Sequence, residues 1–449
     1  MTSDIAEHIA NLSIMDTHSH MEGVAAWEGS EAPDILSDLF GWYASSDLVI
    51  AGAPLDAVER LLDPTDDDLE GRFAGIAEAW TRSRFTGYGE AVRIAARELL
   101  EIEDLSAESL RGGQRRLRAL QQAGGMALLR DRARIDHVQT DLGMDVIDLP
   151  TSSWTYFLRD LSVRRFAIGA ANDPMIASAT GIEVRDLATL GDAIDALFVR
   201  CAPRSIAVKS QHAYVRTLAW QQRSDADAER ALRVVLDGGP GSDDPDSEAR
   251  RCVGDWCLGR CVALAARYDL PIKLHTGILA GTAQQGTAMP IDRLRAGHLA
   301  PLLTAYPDAR FILMHIAYPF SEELIALAKH FANVTVDLCW AWALNPLATK
   351  DFVRRFLHAV PVNRLFAFGD DTNTPLMAYA YAMQARRWLT RAIEEEIADG
   401  YLTSRQAMEV ASLVLRGNQE AHFDIAGRQG AIRDVTAVDA HHPWPYRSS

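Results

Sequence analysis

Four short segments of this 449-residue chain carry residues suited to metal chemistry. The first is Asp16-Thr17-His18-Ser19-His20, directly after the apolar run Leu12–Met15. Side chains alternate across a strand, so His18 and His20 face the same way, as two ligands of one ion must. The second and third, Pro271-Ile-Lys-Leu-His275-Thr-Gly277 and Arg310-Phe-Ile-Leu-Met-His315, are apolar runs closed by a histidine. The fourth, Leu365-Phe-Ala-Phe-Gly-Asp370-Asp371-Thr372, ends in two carboxylates. One histidine at a strand end is usually a satisfied core residue. The order HxH, His, His, Asp at successive strand ends is hard to obtain that way. Neutral imidazoles with a carboxylate suit a divalent ion, zinc first, with manganese or iron as alternatives, bound as one ion or two. Such an ion polarises a carbonyl or amidine and acidifies water, so the chemistry expected is metal-assisted hydrolysis of a small molecule.

Other residues fall at the same strand ends. Lys209 closes the run Ile206–Lys209, and a lysine buried there is costly without a task. Carbon dioxide could convert it to a carboxylated ligand, it could face a substrate anion, or its head could reach solvent. Tyr214 and Arg216 follow Lys209, Tyr318 follows His315, Trp340 and Trp342 follow Val334–Leu338, and Trp154 and Tyr156 follow Val146–Leu149. Small-ligand pockets combine aromatic walls with a few polar anchors. Arg216, able to grip a carboxylate bidentately, is expected to bind substrate with Tyr214 and Trp340, and Tyr318 stands beside them. His212 is a substrate contact, an extra ligand or a plain loop residue. About half of these residues would simply pack against the helical stretch that follows the first strand.

Nine strand-type runs could position these groups: Ser13–Asp16, Arg134–Gln139, Val146–Leu149, Phe166–Gly169, Ile206–Lys209, Ile272–His275, Phe311–His315, Val334–Leu338 and Leu365–Gly369. Helical patterns separate most of them, which predicts βαβ units and a parallel sheet. A closed barrel needs eight, so Arg134–Gln139 or Val146–Leu149 is accessory. Residues 1–24 hold the first strand. Residues 25–132 read as a helical insertion above the carboxyl ends of the strands, where loops carry function. The barrel resumes over 133–425, and 426–449 is a tail, extended from Arg433. The Gly-, Pro- and Asp-rich stretch from Asp237 to Ala249 is a surface excursion.

Composition limits the partners. The chain is 48% hydrophobic and 24% charged, as a globular fold requires. Lys plus Arg is 45 against 61 Asp plus Glu, a net charge of −16, which disfavours nucleic acid and anionic membranes. Five cysteines make no disulfide framework; Cys252, Cys257 and Cys261 read as buried apolar residues. The acidic N-terminus does not read as a signal peptide, and no apolar stretch is long enough to span a membrane. A cytoplasmic homo-oligomer is expected.

The segments around His18, His20, His275, His315 and Gly369-Asp-Asp371 resemble the amidohydrolase superfamily, in its amidohydrolase-related branch of FluG/nodulin type. Val208-Lys-Ser-Gln-His-Ala-Tyr-Val-Arg-Thr-Leu218, Met314-His-Ile-Ala-Tyr-Pro-Phe320, Asn333-Val-Thr-Val-Asp-Leu338 and Arg416-Gly-Asn418 carry the same resemblance. It covers roughly 1–25 and 134–425. It implies a (β/α)8 TIM-type barrel with the metal at the carboxyl ends of its strands. It implies His18, His20, Lys209, His275, His315 and Asp371 as ligands, with Asp371 as general base and His315 as its catalytic neighbour. His212 departs from the family pattern after the lysine. Decarboxylases and uronate isomerases of the superfamily use a similar site, so the same resemblance implies a non-hydrolytic alternative.

Overall fold

The computed structural model describes residues 3–30, 33–142 and 155–441. Eight parallel strands follow one another in chain order: β1 Ile14–Ser19, β2 Ile135–Thr140, β3 Phe157–Ser162, β4 Ser205–Ser210, β5 Ile272–Leu274, β6 Phe311–Met314, β7 Val334–Asp337 and β8 Leu365–Phe366. β8 is short, and the chain beyond it closes the ring. Thr17 N donates to Phe368 O, Asp371 N to His18 O (2.9 Å) and His20 N to Thr372 O (2.9 Å). The (β/α)8 architecture expected from the alternation is therefore present, with helices outside a sheet buried on both faces.

One strand assignment fails. Phe166–Gly169 is not a strand: Arg164–Ala167 is helical, and the third strand is Phe157–Ser162. A four-residue apolar run has no period of its own and serves a helical turn equally well. Val146–Leu149 lies outside the described residues; the Arg134–Gln139 run is realised as β2, Ile135–Thr140. The end of the chain differs too. Ile425–His441 is a helix, not an extended tail, because the run from Arg433 lacks any breaker before the first proline.

Between β1 and β2 the chain is helical, including Ile35–Phe40, Ala44–Ile50, Gly87–Leu100 and Ala107–Ala123. Asp34, Thr86 and Ser106 start three of these helices by accepting hydrogen bonds from first-turn N–H groups. Arg72 and Asp34 form a buried pair at 2.6 Å inside this region. Docking onto the barrel depends on Gly87, where a Cβ would lie 2.0 Å from Ala343 O. Tyr43 and Tyr88 then stack in line with Trp340, the residue that follows Cys339 beyond β7.

Candidate active site

The carboxyl ends of the strands and the helical region above them enclose a cavity of about 520 Å³. Its floor holds His18, His20, His275 and Asp371; Gln211 and Tyr214 form one wall; Trp42, Tyr43, Ser45 and Ser46 form the roof. Trp42 ties roof to floor, its Nε1 donating to Asp371 O at 2.7 Å.

Strand closure explains how the central groups meet. The bond from Asp371 N to His18 O sets the carboxylate beside the HxH strand. His18 Nε2 and His20 Nε2 lie 3.3 and 3.1 Å from Asp371 Oδ1. Asp371 adopts φ 51°, a left-handed conformation uncommon for a non-glycine residue, as do His315 (φ 65°) and Trp340 (φ 62°). Three strand ends at the carboxyl face of the barrel are thus held in unfavourable backbone geometry. Gly369 admits this approach, since a Cβ there would lie 2.8 Å from Cys339 Sγ and 2.9 Å from Thr17 Oγ1.

Electrostatics favour ligands. Burial alone would raise the Asp371 carboxyl, yet the imidazoles of His18, His20 and His315 hold it well below the usual carboxylate range. Burial pushes His275 down to about 3 and His315 well below the normal imidazole value, so both rings stay neutral. For His20, burial opposes the charged form, but the hydrogen bond to Asp371 outweighs it and raises the pKa. His20 Nδ1 contacts Asp141 O at 2.9 Å; since a carbonyl only accepts, Nδ1 carries a proton, and the proton that Nε2 shares with Asp371 is the one a bound ion would displace. Ligating histidines commonly use that arrangement. The donor set passes a geometric test as well. Metal–ligand bonds of about 2.0–2.2 Å at tetrahedral angles separate ligand atoms by about 3.3–3.5 Å, close to the separations around Asp371 Oδ1.

Not every expected residue enters the site. Lys209 is fully buried, its Nζ 3.3 Å from His18 Nε2 and 2.9 Å from Met314 Sδ, and burial lowers its pKa. His275 borders the cavity, with Nε2 2.9 Å from Ile278 O. His315 lies beside His275, ring centroids 4.4 Å apart. Tyr214 lines the wall, and its hydroxyl accepts from Ala280 N. Arg216 does not reach the cavity: it is buried against Asp255 Oδ1 (2.9 Å) and Ala167 O (2.7 Å). His212 is buried behind the wall with Nδ1 2.9 Å from Ser210 Oγ. Trp340 stands one layer behind Tyr43, and Tyr318 turns its carbonyl to Ile278 N. Trp342 donates from Nε1 to Ala367 O. Tyr156 precedes β3 and bonds Ile135 O at the opposite end of the barrel, while Trp154 lies outside the described residues. Cys252, Cys257 and Cys261 are buried on the Glu248–Arg267 helix.

Sequence reading missed Asp160 of β3. Its Oδ2 is 3.8 Å from His18 Nδ1, and Lys273 Nζ of β5 bonds both its oxygens at 2.8 Å. The carboxylate thus backs the ring of His18. Asp370 lies next to Asp16, outside the cavity lining; burial raises both carboxyls, Asp16 to about 7, and the Asp16 charge pushes Asp370 further up.

A parallel eight-stranded barrel with histidines and a carboxylate gathered at its carboxyl end defines a TIM-type enzyme scaffold with a candidate metal centre. The family model described as Amidohydrolase matches residues 158–402, more than half of the chain, and the chain belongs to that family. It is 26% identical over 234 residues to Protein fluG of Emericella nidulans, 50% of this chain and 26% of that protein. The chain thus spans about a quarter of that relative. A structure from Lactobacillus casei ATCC 334, provisionally assigned as a metal-dependent hydrolase, superposes with TM-score 0.65 at 14% identity, covering 95% of this chain and 99% of that one. Glucuronate isomerase from Caulobacter crescentus superposes with TM-score 0.73 at 18% identity, covering 94% and 93%. Among the described residues, no helix is long and apolar enough to cross a membrane.

Proposed function

We propose that this chain is a metal-dependent hydrolase that cleaves an amide, ring C–N or lactone bond of a small organic substrate. The carrying observation is the buried, ionised Asp371 carboxylate facing His18 and His20 on a cavity floor. His18, His20 and Asp371 would hold a divalent ion, zinc in first place, with His275, His315 and Lys209 as further ligands for it or for a second ion. That ion supplies Lewis-acid polarisation of the substrate carbonyl. Asp371 takes a proton from the attacking water and passes it to the leaving group. Tyr214 and Trp42 border the bound substrate, and the roof from Trp42 to Ser46 limits solvent access. The enzyme is proposed to be cytoplasmic and self-associating.

A second reading, sugar-acid isomerisation, draws support from the isomerase likeness, which covers 94% of this chain. There Asp371 would move a proton within the substrate instead of taking one from water. A substrate screen followed by reaction in oxygen-18 water separates the two. Incorporation of one labelled oxygen supports hydrolysis; product of unchanged mass transfers the assignment to isomerisation. Asp371→Asn should lower turnover about 100-fold or more, and Asp370→Asn much less.

A further inference from the structure

We infer that His315, Cys339 and Asp371 form a second cation site, selective for a thiophilic divalent ion. The inference rests on the metal centre proposed above and adds a ligand that no strand-end pattern announced. Each of the three residues offers a ligand-capable atom, and these atoms lie within 4.8 Å of one another; all three residues are buried. Asp371 divides its oxygens. Oδ1 faces His18 and His20 at 3.3 and 3.1 Å, whereas Oδ2 lies on the side of His315, 3.9 Å from the Nδ1 that the ring keeps for its carbonyl partner. A carboxylate so placed can serve two ions, one per oxygen, and keeps lone pairs for proton transfer.

The other two members retain ligand capacity. His315 Nδ1 contacts Cys339 O at 2.9 Å, and its buried Nε2 has no hydrogen-bond partner among the described residues. The Cys339 thiol has one weak contact, His18 O at 3.9 Å. Its backbone N–H is fixed on Asp337 Oδ1 at 2.8 Å, and Gly369 leaves the space that the sulfur occupies. Thiol, imidazole and carboxylate together select zinc or cobalt over magnesium, calcium or manganese. On binding, the thiol proton leaves to solvent and a thiolate–metal bond forms. This site does not require the lysine as a bridge, because Asp371 belongs to both ligand groups.

The test uses the full chain, stripped with a chelator and titrated with cobalt(II). Visible ligand-field absorption reports the first equivalent, and near-ultraviolet thiolate-to-cobalt charge transfer reports the second. The expected result is two equivalents, with the sulfur band on the second. Cys339→Ser and Cys339→Ala should each keep the first equivalent and lose that band, with unchanged circular dichroism as the folding control. One equivalent without a sulfur band overturns this inference and leaves the proposed metal centre intact. A sulfur band that persists in both Cys339 variants also overturns it, since another thiol must then be the source. No cobalt uptake at all overturns both.

Discussion

Arg216 is the clearest case in which position in sequence and position in space disagree, and replacing it with methionine tests which governs. Its guanidinium is buried against Asp255 Oδ1 at 2.9 Å and Ala167 O at 2.7 Å. Removing one partner of a buried ion pair costs about 3–5 kcal/mol, because the other charge is left desolvated. Arg223 Nε still reaches Asp255 Oδ2 at 3.1 Å, so the lower end, about 3 kcal/mol, is expected. An unfolding entropy of about 2.1 cal/mol/K per residue gives about 0.9 kcal/mol/K over 449 residues, hence a fall of about 3 °C in Tm. Differential scanning calorimetry measures this, with cobalt or zinc stoichiometry followed in parallel. The double variant Arg216→Met, Asp255→Leu should recover much of the loss, since apolar side chains of similar volume often replace buried pairs without harm. An unchanged Tm for Arg216→Met, joined to a selective rise in KM once a substrate is known, would refute the structural role and restore Arg216 as a substrate anchor.

Other expectations concern the floor and the roof. His18→Ala with His20→Ala should abolish the first metal equivalent by elemental analysis while leaving circular dichroism intact; stoichiometric metal in that variant refutes the ligand set. Asp160→Asn removes the charge behind His18 and should weaken metal affinity about 10–100-fold in a competitive chelator titration; an unchanged affinity means the 3.8 Å separation carries no support. Intact mass at neutral pH decides whether Lys209 carries carbon dioxide, and a bare amine in the metal-loaded protein removes it from the ligand set. Burial raises the Asp38 carboxyl from 3.8 to about 7, against the hydrogen bond it receives from Trp27. The folded state then binds more protons than the unfolded one between those values, so this group's contribution to stability falls as pH rises from about 4 to about 7. Asp38→Asn should flatten that part of a Tm-against-pH curve; an identical slope counts against it.

The strand ends were legible because each carried two signals at once, an apolar run and a chemical residue at its close. The barrel's alternation was legible for the same reason. β3 was not, because Phe157-Leu-Arg-Asp-Leu-Ser places Arg159 and Asp160 in mid-strand, and a sequence does not reveal that Asp160 is neutralised by Lys273 from β5. Arg216 misled for a related reason. Its partner Asp255 lies 39 residues later on the Glu248–Arg267 helix, so no local pattern separates a structural arginine from a binding one. Cys339 gave no signal because its neighbours come from other strand ends, and a single buried cysteine reads as a small apolar residue.

The bond from Trp42 to the Asp371 carbonyl has a consequence for engineering. Barrel enzymes invite loop exchange, on the premise that the scaffold carries the chemistry and the loops carry selectivity. Here one roof residue shapes the entrance and also holds the backbone of the central carboxylate in its left-handed turn. Transplanting a different segment between β1 and β2 would change the substrate range and slacken the reactive group in one stroke. Diversification of this barrel is therefore best directed at Ser45, Ser46 and Gln285, which line the cavity without touching that turn.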